Sequence, residues 1–186
     1  MTSAVLAHVD RSSRGGAFLS GRAYIASPVV EEVLDACSYL DFDAGSFSGN
    51  MIDSIPFGYF DNRLDPNSSI GLAFESEVEY VANRYMKSVN GPVAEWFEQR
   101  GSIDGVLKSA MIPRATYFDK INPEPMGLRG SIILAVMAGR YDDAARVMDW
   151  YIRRNSFHEW DSCAKAKAFD IALGRQFGEY ARARGK

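Results

Sequence analysis

Residues 128–154, LRGSIILAVMAGRYDDAARVMDWYIRR, decide the fold of this chain. The first half, as far as Ala138, is apolar on almost every side after its first turn, which predicts a helix buried over most of its surface. Gly139 predicts the end of that helix, because glycine adopts the left-handed backbone conformation at little steric cost. The second half sets apolar residues at the spacing of one helical face, namely Ala144, Val147, Met148, Tyr151 and Ile152. The stretch therefore predicts a helical hairpin around which the rest of the chain packs.

The N-terminal part of the chain predicts strands and one helix. Residues 2–9 and 17–26 are short apolar stretches separated by a glycine-containing loop, which suits two strands, although residues 2–9 could also begin as a helix. Ser27 and Pro28 predict the start of a helix that ends near Leu40, with serine as its cap. Residues 41–69 carry repeated glycine and proline and predict a loop with short strands.

The remaining elements are predicted to be mostly helical. Residues 69–74 predict a strand, and Ser76 and Glu79 form the pattern of a capping box before an amphipathic helix. The apolar face of that helix consists of Val78, Val81, Ala82, Tyr85, Met86 and Val89. Asn90 to Pro92 predict a break or kink, Ser102 predicts the cap of the next helix, and one terminal helix carries the apolar stripe Ala166, Phe169, Leu173, Phe177 and Tyr180.

The order of these elements predicts an α+β fold. We expect a small N-terminal antiparallel sheet packed against a mostly helical C-terminal part with the helical hairpin at its centre. A length of 186 residues fits one domain over residues 1–186, with a strand- and loop-rich part at 1–75 and a helical part at 76–186.

The composition is that of an ordinary soluble domain. Its 47% apolar content contains no run long enough to cross a bilayer, and the first residues lack the features of a signal peptide, so we expect a cytoplasmic protein. Cys37 and Cys163 are interpreted as small buried thiols, because a disulfide would require an oxidising compartment.

The sequence predicts no catalytic residue, no metal site and no cofactor. His8 and His158 are the only histidines, and they stand apart from any zinc-binding or serine-nucleophile pattern. The acidic residues near position 77 have a sufficient explanation as residues at a helix start, where carboxylates interact favourably with the helix dipole.

The charge is unevenly distributed along the chain. Residues 41–98 contain ten acidic against three basic residues, which disfavours a nucleic-acid surface there, because phosphate contacts require Lys and Arg. This middle segment also carries aromatic residues, which either anchor the loop to the core or form a contact surface. The candidate partner-binding residues are Asp41, Asp43, Phe57, Tyr59, Asp61, Asp65, Glu75, Glu77 and Glu79. The basic tail, with Arg182, Arg184 and Lys186, could contact an anionic partner, but it is interpreted as a solvated helix end and a disordered terminus.

Two stretches resemble a known class of proteins. Residues 93–99, VAEWFEQ, are followed by a helical hairpin with the pattern Ala-x-x-Ala-Gly-x-Tyr-Asp-Asp-Ala at residues 135–144. Over residues 69–154 this resembles bacterial immunity proteins of polymorphic-toxin and contact-dependent inhibition systems, which are compact, acidic, cytoplasmic α+β domains. The resemblance implies a protein that binds and inhibits a toxin rather than an enzyme. From the charge distribution and the apolar runs, we expect no nucleic-acid or membrane partner.

Complementary charge would speed the capture of a basic toxin domain, which favours this interpretation. Two alternatives remain open from the sequence. One is a small enzyme or ligand-binding domain with a pocket that contains His158 or Tyr117. The other is a helical adaptor or secretion chaperone that dimerises through the hairpin.

Overall fold

The computed structural model describes residues 1–11, 15–37, 51–57, 70–72, 74–111, 125–153 and 163–185. The chain divides into two compact units. We call the first the helical unit, which comprises Ala26–Asp53 and Arg100–Lys186, and the second the sheet unit, which comprises Thr2–Ile25 and Ser54–Gln99. The predicted single domain stays a prediction. The predicted fold class, α+β with an N-terminal antiparallel sheet and a helical C-terminal part, is confirmed.

The elements follow in the predicted order. The strands are β1 (Thr2–Arg11), β2 (Ala17–Ala26), β3 (Met51–Pro56) and β4 (Ile70–Leu72). The helices are α1 (Pro28–Ala36), α2 (Val78–Ser88), α3 (Ala94–Glu98), α4 (Ile103–Ala110), α5 (Pro125–Met137), α6 (Tyr141–Arg153), α7 (Cys163–Gln176) and α8 (Gly178–Ala183). Among the described residues, no helix has both the length and the apolar character that crossing a bilayer requires.

The predicted hairpin is the pair α5 and α6, and it lies in the helical unit. Gly139 has φ +71° and closes α5. The Gly139 amide donates to Val136 O at 3.0 Å and the Arg140 amide donates to Ala135 O at 2.8 Å, which is the Schellman pattern of a glycine-terminated helix. Residues 127–136 are buried without exception, as the all-round apolar sequence of α5 predicts.

The terminal helix is two helices rather than the one predicted. Phe177 is extended, with φ −126° and ψ 93°, and separates α7 from α8. The break allows α8 to pack on both α6 and α7, and it places Tyr180 in a fully buried position. Ala166, Phe169 and Leu173 are buried in α7 as predicted. The sequence also predicts Asp161 or Ser162 as the cap of this helix, and both lie outside the described residues.

Two helix starts behave differently although both carry serine. The Ser102 hydroxyl accepts a hydrogen bond from the Gly105 amide at 3.1 Å, so it caps α4 as predicted. Ser27 precedes α1 but makes no side-chain cap hydrogen bond. The predicted role of Ser27 is therefore wrong, and Pro28 alone marks that start, because its fixed φ suits the first helical turn. Cys37 follows the last residue of α1, so that helix is shorter than predicted.

The sheet unit is built around β2. The strand order is β1-β2-β3, and the short β4 pairs antiparallel with the start of β2, from Ala17 opposite Leu72 to Leu19 opposite Ile70. The predicted break at residues 90–92 is a π-helical turn, Val89–Val93, through which the chain stays helical from α2 to α3. A π turn accommodates Pro92 because the wider hydrogen-bond spacing tolerates a residue without an N–H group.

Candidate protein-binding surface

The start of α2 holds three carboxylates in a defined arrangement. The Phe74 amide donates to Glu77 Oε2 at 3.0 Å, and the Glu77 amide donates to Phe74 O at 3.0 Å, which closes a 3-10 turn over Glu75–Glu77. The capping interaction therefore lies two residues before the predicted Ser76 box. The capping interaction comes soon after β4 ends at Leu72, because the helix begins where the chain leaves the sheet. Glu77 is held by this cap, whereas Glu75 and Glu79 are exposed.

The inner face of α2 rests on aromatic packing within the sheet unit. Val81 is only 3% exposed, and the Tyr85 ring lies 4.8 Å from the Phe57 ring, centroid to centroid. Both rings cover Gly21, where a Cβ atom would lie 2.7 Å from each of them. Phe57 therefore anchors the fold, which is the first of the two roles considered for the aromatic residues of the middle segment. Burial raises the pKa of the Tyr85 hydroxyl.

Part of the predicted apolar face of α2 is exposed to solvent. Phe74 is 68% exposed, Val78 49% and Met86 48%. Val78, Ala82 and Met86 are four residues apart and form one row along the helix. The row is exposed because the packing of Val81 and Tyr85 against the sheet uses only one side of the helix. We call Phe74, Glu75, Val78, Glu79, Ala82 and Met86 the α2 surface.

Carboxylates border this apolar row at its N-terminal end. Glu75 precedes Val78 by three residues and Glu79 precedes Ala82 by three, so each acid is a helical neighbour of the row. Arg84 and Lys87 lie in the second half of α2, so the negative charge is concentrated at the helix start. Interfaces between proteins are enriched in aromatic residues and methionine at their centres and carry polar groups at the rim. The α2 surface has this composition.

The predicted partner-binding residues fall into three groups. Glu75, Glu77 and Glu79 are brought together at the start of α2, as their spacing implies. Phe57 points into the sheet unit. The others lie outside the described residues, namely Asp41, Asp43, Tyr59, Asp61 and Asp65. The exposed Phe74, Val78 and Met86 were not among the candidates, because a regular apolar spacing on a helix indicates burial unless the extent of its partner is known.

The helical unit contains a buried ion pair between Arg100 and Asp53. Arg100 Nε donates to Asp53 Oδ2 at 2.7 Å, with 9% and 7% of the two side chains exposed. A cavity of about 10 Å³ adjoins the pair and is lined by Ile52, Asp53, Arg100, Val106, Ser109, Ala110 and Gly127. A space of this size accepts at most one water molecule. The cavity therefore does not fit a metabolite. His158 and Tyr117, the residues proposed for a pocket, lie outside the described residues.

One residue of the basic tail, Arg184, belongs to an ion-pair network instead of a solvated helix end. Arg184 donates to Asp149 at 2.5 Å and to Asp170 at 3.1 Å, and 12% of its side chain is exposed. The Tyr180 hydroxyl donates to Asp170 at 2.6 Å. Arg182 stays on the surface and pairs with Glu179. The prediction for Arg184 is thus wrong, because two carboxylates on α6 and α7 compensate the burial of its charge.

The remaining candidates for chemistry contribute no site among the described residues. No group of three or more His, Cys, Asp or Glu residues there is placed to hold a metal ion. Cys37 and Cys163 are free and half-buried, so the prediction of buried thiols is wrong in degree. Burial still raises the pKa of the Cys37 thiol, which makes its reactive thiolate form scarcer at neutral pH.

Comparison of the chain with known protein families, with curated proteins and with solved structures finds no match. A functional inference therefore has to come from the residues of the chain and their arrangement.

Proposed function

We propose that this protein is a protein-binding inhibitor, and specifically an immunity protein that neutralises a cognate bacterial toxin in the cytoplasm. The observation that carries the proposal is the α2 surface, an exposed apolar row bordered by carboxylates. A helix whose inner face is anchored by Val81 and Tyr85 presents such a row in one conformation. Less conformational entropy is lost on binding when the surface is already ordered.

The composition of the α2 surface specifies the chemistry of the partner. Val78 and Met86 match an apolar patch, because their removal from water on binding is favourable. Glu75 and Glu79 match Lys or Arg residues around that patch. Attraction between opposite charges accelerates encounter and orients the partner. A basic toxin domain that acts on nucleic acid has these properties. In this proposal, the acidic residues 41–65 add to the same attraction.

The proposal expects a toxin-like protein to be encoded beside the gene of this chain, and the test uses the catalytic domain of that protein. Val78→Asp should weaken binding by about 30-fold or more, the effect of losing about 2 kcal/mol at a central contact. The double change Glu75→Lys and Glu79→Lys should mainly slow association, and the slowing should diminish as salt screens the charges. Surface plasmon resonance at two salt concentrations measures both effects, and co-expression with the toxin measures protection of growth.

Two control variants separate local effects from general ones. Ile171→Asp places the same charge on an exposed apolar residue of α7, and Glu32→Lys reverses an exposed acid of α1. Both controls should bind and protect like the unmodified chain. A chain that fails to bind that toxin domain contradicts the proposed function. If the control variants weaken binding as much as the α2 variants do, the α2 surface is not the binding surface.

A further inference from the structure

Strand β1 is an edge of the sheet. It lies at one end of the order β1-β2-β3, and β4 pairs with β2, so within the described part of the chain β1 has a neighbouring strand on one side only. The free side of an edge strand presents backbone N–H and C=O groups that can pair with another strand. β1 spans ten residues, which is long for an edge.

The strand lacks the features that usually prevent edges from pairing. Proteins protect edges with charged side chains, proline, or very short strands. From Thr2 to Val9 the sequence contains no proline and no Asp, Glu, Lys or Arg. Leu6 is 58% exposed and Val9 63%, so the strand also carries apolar side chains in solvent. Pairing would satisfy the backbone groups. It would also give Leu6 a neighbouring side chain on one face of the sheet and Val9 one on the other face, because successive side chains of a strand alternate between faces.

We propose that β1 pairs antiparallel with β1 of a second copy of this chain. A two-fold axis perpendicular to the sheet relates the two strands, so each residue opposes one that points to the same face of the sheet. The register centred on Leu6 meets this condition and places Leu6 opposite its own copy. Val5 then opposes Ala7 and Ser3 opposes Val9.

Charge and symmetry favour a second copy over a different protein. Between Thr2 and Val9 the one ionisable residue is His8, and in the register centred on Leu6 it opposes Ala4, so no two like charges oppose each other over this stretch. Between Thr2 and Val9 the strand also carries no Asp, Glu, Lys or Arg that would select a strand of opposite charge as its partner. The two-fold arrangement supplies every contact twice. Because one added strand pair is a small interface, the dimer should form in a concentration-dependent way.

Sedimentation of the full chain tests the proposal through complementary charges at residue 6. The unmodified chain should shift from monomer to dimer as its concentration rises. Leu6→Lys and Leu6→Glu each place like charges at the two-fold axis, so each alone should raise the dimer dissociation constant by about tenfold or more. An equimolar mixture of the two variants should restore the dimer, because opposite charges then meet. Ile171→Lys, an equivalent change on α7, should leave dimerisation unchanged.

A second measurement requires a milder change. Leu6→Cys should give a disulfide-linked dimer on oxidation, since directly opposed residues in antiparallel strands lie within bonding reach of each other. Ile171→Cys should not. An unmodified chain that stays monomeric at every accessible concentration would overturn the proposal. So would a mixture of the Lys and Glu variants that remains monomeric while both variants keep the circular dichroism spectrum of the unmodified chain.

Discussion

At the scale of single residues, Asp170 is the centre of a hydrogen-bond and ion-pair network in the helical unit. Asp170 is 4% exposed and accepts hydrogen bonds from Tyr180 and Arg184. Its position on α7, four residues after Ala166 and three before Leu173, lies on the predicted apolar stripe. A charged residue on a buried stripe indicates a buried partner, because an uncompensated charge there would be strongly destabilising. That signal was present in the sequence, although it did not identify the partner.

Tyr180→Phe should lower the free energy of unfolding by about 2 kcal/mol at pH 7, because it removes a hydrogen bond to a buried carboxylate. Burial and the hydrogen bond to Asp170 raise the pKa of Tyr180 far above its usual value. Above about pH 10 the unfolded chain loses this proton while the folded chain keeps it, so stability that is complete below pH 10 declines as pH rises. The contribution of Tyr180 to the decline should approach about 1.4 kcal/mol per pH unit. Tyr180→Phe should lack this contribution and keep only the smaller decline that the raised pKa values of Cys37 and Tyr85 cause.

Urea unfolding between pH 7 and pH 11 measures both effects. Tyr80→Phe is the matched control, because Tyr80 is 66% exposed and loses the same hydroxyl group. It should retain both the stability at pH 7 and the alkaline decline of the unmodified chain. Equal alkaline slopes for Tyr180→Phe and the unmodified chain would show that Tyr180 is not responsible for the decline.

At the scale of elements, the close approach of α5 to β3 depends on a missing side chain. A Cβ atom on Gly130 would lie 3.0 Å from both Cα and Cγ2 of Ile52. Ile52 is fully buried, so it has little room to move away. The glycine at this position in α5 therefore serves helix-to-strand packing, at the expense of helix propensity.

Gly130→Ala and Gly174→Ala should change stability in opposite directions. Alanine favours a helix over glycine by up to about 1 kcal/mol at either position. At Gly130 overpacking against Ile52 should exceed this gain and leave a net loss of about 1–2 kcal/mol. At Gly174 the nearest atom to the new Cβ is Ala181 Cβ at 3.7 Å, an ordinary contact, so the gain should remain. Thermal unfolding of the two variants tests this, and a stabilised Gly130→Ala would contradict the packing explanation.

At the scale of the whole molecule, the buried apolar residues are unequally shared between the two units. Of the twelve largest fully buried side chains among the described residues, Ile25 and Val93 belong to the sheet unit and the others to the helical unit. In α2 only Val81 is buried, whereas α6 buries Ala144, Ala145, Val147, Met148 and Tyr151. Local opening requires less free energy where fewer apolar contacts are broken.

Amide hydrogen exchange should therefore be slower in α5 and α6 than in α2, by about tenfold or more after correction for intrinsic rates. Mass spectrometry of peptides from the three helices measures this on the unmodified chain. The comparison of α2 with α6 is matched, because both are amphipathic surface helices of similar length. Protection of α2 equal to that of α6 would contradict the expectation that buried contacts set the difference.

Much of the fold follows from local patterns in the sequence. The hairpin, the glycine that closes α5, the Ser102 cap and the two N-terminal strands were all predicted from spacing and residue type. These features depend on neighbouring residues, and the preferences of glycine, serine and alternating apolar residues act over a few positions. The candidate surface was predicted less completely, because the exposure of a residue depends on distant parts of the chain.

By itself, the sequence determined the class of the fold, the order of its elements and the central hairpin, because periodicity and turn chemistry are local properties. Only the tertiary structure decided which apolar residues face solvent. Val81 and Val78 have the same side chain on the same helix, yet only Val81 is covered. The tertiary structure also decided that Arg184 pairs with Asp149 and Asp170, which lie 35 and 14 positions away in the chain. Burial and ion pairing are set by which elements meet in space, and no local pattern contains that information.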